Sequence, residues 1–206
     1  MRALELATHL ARGESEAAPG IADWLVETVR ASALSDVTVE ALSSAVAARL
    51  AAAAPEQARA LLAELEQTPG VRGTPYYARQ LPGMLRNALA AGDPALAKRL
   101  ADGLEPLFPL REHALCSARA QLAEAARDHA DAATLYAEAA ARWQTFGNVP
   151  ERAHALLGQG RCLLALGDSA AEQPLRQAAE LFSSMGYRPA LAETEALLEQ
   201  ATAPAS

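Results

Sequence analysis

The stretch AAARWQTFGNVPERA (139–153) is matched by AAELFSSMGYRPALA (178–192) at an offset of 39 residues. The alignment places Gly147 on Gly186 and Pro150 on Pro189. A second pair of segments, APEQARALLAEL and DPALAKRLADGL, matches at the same offset, from residues 54 and 93. A period of about 35 to 40 residues is typical of helical-hairpin repeats, which bury their apolar faces against their neighbours in an α-solenoid. We therefore predict an all-α solenoid.

Composition agrees with an all-α fold. Apolar residues make up 51% of the 206 residues, but aromatic residues make up only 4%. The apolar content is therefore mainly alanine and leucine, which are strong helix formers. No stretch alternates apolar and polar residues for long enough to predict a half-buried strand.

Proline and glycine divide the chain into about 10 to 11 predicted helices. Proline is tolerated in the first turn of a helix, where its missing N–H has no intrahelical partner. Six prolines stand where a new apolar period begins: Pro55, Pro75, Pro94, Pro109, Pro150 and Pro189. Short stops are predicted at Gly13 and Gly20, at the Ser35-Asp36 cap, and at Gly92-Asp93, Arg127-Asp128 and Gly167-Asp168.

Small residues follow these stops at a recognisable spacing. Ala97 and Ala132 come four residues after the aspartates of two stops, and Tyr136 and Ala139 follow the second of them. This pattern resembles the second helix of a tetratricopeptide repeat. The resemblance implies repeats over 36–74, 75–110, 111–149 and 150–188, which together form a domain over 36–188. Residues 1–35 would then be an N-terminal helical pair, 189–202 a capping helix and 203–206 a tail.

Residues 111–202 also carry a narrower resemblance. ERAHALLGQGRCLLALGD, from residue 151, and LRQAAELFSSMGYRPALAETEALL, from residue 175, resemble the C-terminal repeats of bacterial signalling ATPases. These include maltose-regulator-like activators and repeat-bearing nucleotide cyclases. The chain contains no G-x-x-x-x-G-K-[ST] motif, so the resemblance implies only the repeat portion of such a regulator and its binding role.

Charge and composition also limit the expected partners. The net charge of −7 opposes the electrostatic attraction that non-specific nucleic-acid binding requires. The N-terminus lacks the basic and then apolar run of a signal peptide, and no span of about 18 apolar residues follows. We expect a cytoplasmic protein that binds neither nucleic acid nor membrane. Cys116 and Cys162 lie in apolar stretches and are expected to be buried free thiols.

No residue pattern predicts catalysis or a cofactor. The four histidines belong to no motif that joins a nucleophile, a base and an orienting acid; they are His9, His113, His129 and His154. His113 and Cys116 have the spacing of two metal ligands on a helix, but no second pair accompanies them. We expect a protein that is not an enzyme and that binds no metal or cofactor.

The stretch LLGQGRCLLALGD (156–168) raises the alternative of a phosphate-binding loop. Such a loop needs backbone N–H groups exposed at a helix N-terminus, whereas this segment lies inside a helix that begins at Pro150. We predict that Gly160 lets the second helix of its repeat cross closely and that Gly167-Asp168 separates the two helices. The glycines would then serve packing and helix termination.

In a tetratricopeptide repeat the first helix lines the concave face of the array. Positions thirteen and six residues before each stop are seven apart and share a helix face. These positions hold Arg79 and Arg86, then Ala114 and Gln121, then His154 and Arg161. We predict a locally basic groove for an acidic peptide or a C-terminal carboxylate, because arginine offers bidentate hydrogen bonds. The alternative is that Arg79 and Arg86 pair with neighbouring acids such as Glu124.

Two functions remain open on the sequence alone. The first is a non-catalytic module that binds a protein partner or an acidic peptide segment through Arg79, Arg86, Gln121, His154 and Arg161. The second is a self-associating structural or regulatory unit without a peptide groove. In that case the alanine-rich faces of 36–53 or 189–202 would pack against a second copy to form a homodimer.

Overall fold

The computed structural model describes residues 2–14, 18–31 and 35–202, with residues 35 and 36 described by their backbone alone. These residues form eleven α-helices and two 3-10 turns, Val71–Gly73 and Ser169–Ala171, and no strand occurs among them. The helices are α1 (Arg2–Ala11), α2 (Ala18–Arg30), α3 (Ser35–Ala51), α4 (Pro55–Gln67), α5 (Pro75–Ala90), α6 (Pro94–Ala101), α7 (Pro109–Ala125), α8 (His129–Phe146), α9 (Val149–Ala165), α10 (Glu172–Met185) and α11 (Arg188–Thr202). The predicted all-α class is confirmed; the predicted tail, 203–206, lies outside the described residues.

The predicted stops between paired helices share one backbone geometry. Gly92, Arg127 and Gly167 have φ values of 77°, 64° and 70°, in the left-handed region. The following aspartate N–H donates to a carbonyl five residues earlier, which is a Schellman helix end. These bonds are Asp93 to Ala88 at 3.0 Å, Asp128 to Ala123 at 3.0 Å and Asp168 to Leu163 at 2.9 Å. The sequence therefore places these three stops correctly.

The aspartate of each stop also caps the helical segment that follows. Asp93 accepts a hydrogen bond from the Leu96 N–H at 2.8 Å and so caps α6. Asp168 instead caps the 3-10 turn, and α10 begins only at Glu172. Gly13 also has a positive φ, of 72°, after α1. Gly20 lies inside the first turn of α2, so its prediction as a stop is wrong.

The residues group into two compact units, one up to Leu115 and one from Cys116 onward, with the boundary inside α7. In the first unit, α3 is the central helix and packs against α1, α2, α4 and α5. Leu42 and Val46 are fully buried on α3 and lie in the same core as Leu6 of α1 and Leu62 of α4. Because α3 is apolar on several sides, the helices around it supply the polar surface of this unit.

In the second unit, α9 is the central helix and contacts α8, α10 and α11. Trp143 of α8 is 1% exposed, and its indole N–H donates to the Ser117 hydroxyl of α7 at 2.8 Å. Phe182 of α10 is fully buried. Aromatic side chains therefore anchor the helices on both sides of α9, and each carries a large apolar area into the core.

Two glycines allow the close packing of α9. A Cβ atom added at Gly160 would lie 2.4 Å from Leu175 Cγ of α10, and one added at Gly158 would lie 2.5 Å from the Tyr136 ring of α8. Real Cβ atoms do not approach other atoms so closely. The predicted close crossing at Gly160 is confirmed, and Gly158 plays the same role toward the opposite neighbour.

Candidate partner-binding site

Arg79 and Arg86 lie on α5 in the first unit. Pro75 occupies the first turn of this helix, and the Thr74 hydroxyl caps it by accepting the Tyr77 N–H at 3.2 Å. Arg79 is exposed, and Arg86 is half-buried. Gly83 lies between them in sequence, and a Cβ added there would be 3.7 Å from Arg86 Nη2. Because Arg79 and Arg86 are seven residues apart on a helix, they share one face of α5.

The predicted positions on α7 do not offer a surface to a partner. Ala114 is fully buried in the first unit, and Gln121 is only 4% exposed in the second. The expectation that Gln121 faces a partner is therefore corrected. The positions thirteen and six residues before the Arg127 stop lie on a face of α7 that is covered by protein.

His154 of α9 is half-buried and packs against α10. Its ring meets the Phe182 ring edge-on, with the centroids 5.0 Å apart. Phe182 also stacks on Tyr187 at 6.2 Å between centroids. Aromatic packing of this geometry stabilises the second unit. The His154 ring therefore takes part in the packing between α9 and α10.

Arg161 of α9 joins two acidic side chains. Its Nε donates to Glu124 Oε1 at 2.5 Å and its Nη2 donates to Glu124 Oε2 at 2.9 Å, which is a bidentate pair with α7. Its Nη1 donates to Glu193 Oε1 of α11 at 3.0 Å. The sequence-based alternative gave Glu124 as a partner for Arg79 or Arg86, whereas the structure pairs Glu124 with Arg161.

Tyr136 of α8 completes this polar cluster, which we call the Arg161 cluster: Glu124, Tyr136, Arg161 and Glu193. The Tyr136 hydroxyl donates to Glu124 Oε2 at 2.6 Å. Burial and the adjacent carboxylate raise the pKa of Tyr136 well above its ordinary value, so the hydroxyl stays protonated as a donor. Four helices of the second unit thereby contribute to one hydrogen-bonded network.

Charge is balanced within the Arg161 cluster. Burial alone would raise the pKa of the Glu124 carboxyl, but hydrogen bonding and charge from Arg161, with the Tyr136 hydrogen bond, lower it below its usual value. Burial alone would lower the pKa of Arg161, but Glu124 raises it. Both groups are therefore ionised at neutral pH, and each compensates the charge of the other.

The two cysteines are buried free thiols, as predicted. Cys162 is fully buried beside the Arg161 cluster, and burial raises the pKa of its thiol to about 12. A thiol with this pKa is protonated and unreactive at neutral pH. Cys116 Sγ makes a weak contact with the Leu135 carbonyl at 3.8 Å. Within the described ranges, no three His, Cys, Asp or Glu side chains form a metal-ligating group.

A shallow depression lies elsewhere on the second unit, along the start of α10. Its volume is about 390 Å³, and its lining residues are Ser169, Ala170, Glu172, Gln173, Arg176, Gln177 and Glu180. Arg176 is paired there with Glu172, at 2.5 Å between Nη2 and Oε1. None of the sequence-predicted site residues lines it.

The structure thus separates the predicted basic residues into two groups. Arg79 and Arg86 belong to the first unit, whereas His154 and Arg161 belong to the second. Sequence reasoning missed Glu193 and the role of Tyr136. The only signal for Glu193 was an acid on the final predicted helix, which does not identify its partner.

Comparison with known proteins gives no family assignment: no protein-family model, curated protein or solved structure matches this chain. Across the part of the chain that the structure describes, none of the helices combines the length and the apolar character needed to cross a membrane.

Proposed function

We propose that the chain is a non-catalytic, cytoplasmic interaction module of tetratricopeptide-like repeats arranged as an α-solenoid. It binds a protein partner or an acidic peptide segment through the faces of its first helices, as the repeat portion of a bacterial signalling regulator would. The observation that carries this proposal is the recurrence of one helix–stop–helix geometry. Paired helices follow one another across the left-handed stops at Gly92, Arg127 and Gly167.

Contacts between successive helices support a repeat architecture. α8, α9, α10 and α11 pack in sequence order in the second unit, as do α2, α3 and α4 in the first. In helical-repeat proteins each element contacts mainly its sequence neighbours, and the exposed helix faces form an extended binding surface. Such a surface can recognise an extended segment without a deep cavity.

The basic residues of α5 support the choice of an acidic ligand. Arg79 is exposed on a protein with a net charge of −7, and Arg86 lies on the same helix face two turns later. Guanidinium groups bind carboxylates through paired N–H donors, and two arginines seven residues apart would engage successive acids of a bound segment.

Binding of a fluorescent hexaglutamate peptide, followed by anisotropy, tests this proposal. We expect Arg79→Ala/Arg86→Ala to weaken binding about tenfold, because the loss of hydrogen bonds to charged groups costs about 1.5 kcal/mol or more. Arg119→Ala is the matched control, since Arg119 is exposed but does not occupy a predicted position. The proposal is wrong if the double variant binds as tightly as the control. Affinity purification followed by mass spectrometry would identify the natural partner.

Self-association is the second candidate, and the faces that could support it lie on α11. The alanine-rich faces of α3 are covered by α1, α2, α4 and α5, so they are not open to a second copy. α11 buries only Thr194 fully and exposes Ala192 and Ala196. Light scattering at several concentrations separates the candidates: a constant mass of 21.6 kDa favours the interaction module, and a mass that doubles favours the homodimer.

A further inference from the structure

The guanidinium group of Arg161 has two differently held edges. Its inner edge, formed by Nε and Nη2, is fixed on Glu124, which is 18% exposed and also accepts the Tyr136 hydroxyl. Its outer edge carries Nη1, which contacts Glu193 at 3.0 Å. Glu193 is 51% exposed. The inner carboxylate is therefore built into the fold, whereas the outer one lies at the surface.

The helix that carries Glu193 is lightly anchored. Thr194 is the single residue of α11 that is fully buried, whereas α9 buries seven residues. Exposed ion pairs contribute only about 0.2 to 1 kcal/mol, because water and salt screen them and two side chains must be ordered. Breaking the contact between Arg161 and Glu193 therefore costs far less than breaking the pair with Glu124.

We propose that the outer edge of Arg161 is a docking point for a carboxylate of the acidic ligand, and that Glu193 is an internal competitor which occupies this point in the free protein. The inference rests on the proposed function and adds both a specific contact and its regulation. Glu124 and Tyr136 hold the guanidinium in a fixed orientation with its outer edge toward solvent. An arriving carboxylate replaces Glu193 with no net change in the number of charged pairs.

This arrangement couples ligand binding to the last described helix. When a ligand carboxylate takes the outer edge, α11 loses the ion pair between Glu193 and Arg161 of α9. Local stability follows the number of such contacts, so the amide hydrogens of α11 exchange faster in the bound state. The internal competitor also discriminates against weak anions, because a ligand must bind Arg161 better than Glu193 does.

An NMR titration of ¹⁵N-labelled full-length protein tests the inference without a peptide. The Arg161 Nε–H signal is followed as sodium acetate replaces sodium chloride at constant ionic strength. We expect Glu193→Gln to lower the acetate concentration for half-maximal shift about two- to fivefold, which corresponds to the loss of an exposed ion pair. Glu195→Gln is the matched control, two positions along the same exposed helix, and it should titrate like the wild type.

The inference is overturned if wild type and Glu193→Gln titrate alike, or if acetate shifts the Arg161 signal no more than chloride does in Glu193→Gln. Failure of the proposed function has a different signature. In that case the acetate result holds, but hexaglutamate binds neither protein. Circular dichroism of both glutamine variants confirms that the exposed substitutions leave the helices intact.

Discussion

The two units satisfy their buried and half-buried polar groups in different ways. In the first unit, three arginines donate to backbone carbonyls near the ends of helical segments, whereas others, such as Arg49, pair with carboxylates. Arg59 bonds to the Ala91 carbonyl after α5, Arg72 to that of Asp102 after α6, and Arg111 to that of Gly73 at 2.7 Å. In the second unit, Arg161 bonds instead to two carboxylates, within the Arg161 cluster.

The two kinds of acceptor respond differently to the surroundings of the protein. A backbone carbonyl does not titrate and is fixed by the helix that carries it, so an arginine bound to it is a permanent cap. A carboxylate gains a proton in acid and belongs to a side chain that can move away. Carboxylate–arginine pairs also occur in the first unit, as Glu64 with Arg30 and Glu66 with Arg99, but their arginines are more exposed than Arg161. In the second unit the carboxylate that pH can change, Glu124, belongs to a half-buried network that also holds the Tyr136 hydroxyl.

Loss of the Glu124 carboxylate should have the largest effect on stability. Glu124→Ala leaves the Tyr136 hydroxyl and the inner edge of Arg161 without their acceptor, which we expect to cost about 2–3 kcal/mol. The measurement is urea unfolding followed by Trp143 fluorescence in a Trp24→Phe background, which restricts the signal to the second unit.

Glu66→Ala is the control for this prediction in the first unit. Glu66 is 17% exposed, close to the 18% of Glu124, and also binds an arginine through two bonds, but its partner Arg99 is 52% exposed. We expect a smaller loss because water can replace the acid on Arg99. Because Trp143 reports on the second unit alone, urea unfolding of Glu66→Ala is followed by Trp24 fluorescence in a Trp143→Phe background. Equal losses would remove the contrast between the two units.

A glycine-to-alanine change should lower the free energy of unfolding of the second unit and raise that of the first. Gly160→Ala would drive a methyl group into Leu175, and we expect it to destabilise the second unit by about 1–3 kcal/mol. Gly83→Ala on α5 meets nothing nearer than 3.7 Å, so it should stabilise the first unit by about 0.5–1 kcal/mol through helix propensity. Thermal unfolding of the two variants compares them; a stable Gly160→Ala protein would contradict the close crossing.

Acid should weaken the second unit through Glu124. Its pKa is lower in the folded protein than the unfolded value of 4.5, so the stabilisation is complete above pH 4.5 and is lost as the pH falls further. Glu64 of the first unit also has a lowered pKa, through its hydrogen bonds from Arg30, but that arginine is 58% exposed and the effect should be smaller. Urea midpoints from pH 7 to 3 measure the slope, and Glu124→Gln should flatten it.

The smallest predicted effect concerns the stop residue Arg127. It holds φ at 64°, whereas Gly92 holds the same place between α5 and α6 with φ at 77°. Arg127→Gly relieves the side-chain penalty of a left-handed backbone and should stabilise the second unit by up to about 1 kcal/mol. Gly92→Ala, whose added Cβ meets no atom within 4 Å, should destabilise by a similar amount. Thermal unfolding measures both variants. If neither melting temperature changes, the left-handed backbone conformation has no free-energy penalty at these stops.

Local signals in the sequence predicted the helices and their ends well. Proline at the first turn and glycine or arginine before aspartate act through the backbone of a few adjacent residues, so Pro75 and Gly92 could be interpreted directly. Gly20 failed as a stop because a glycine also fits the first turn of a helix, and only the neighbouring helices decide which role it takes. The close crossing at Gly160 was predictable because the repeat fixed its register.

Contacts between distant residues were not predictable in the same way. Glu124 and Arg161 are 37 residues apart, and Arg161 and Glu193 are 32 apart, so neither pair follows the 39-residue period. The sequence offered Glu124 as a partner for Arg79 or Arg86, because all of them lay on predicted first helices. Whether Glu124 pairs with Arg161 depends on how α7, α9 and α11 pack, and no local sequence pattern predicts that packing.

Arg111 donates to the carbonyl of Arg72, 39 residues earlier, at 3.5 Å, as well as to that of Gly73. The separation from Arg72 equals the repeat period, and the acceptor is a main-chain atom that every residue type possesses. A duplication of one period would therefore reproduce this bond without any matched side-chain change. An insertion or deletion between the two arginines would move the carbonyl away from Arg111. This bond therefore depends on the length of the segment between them more than on its sequence.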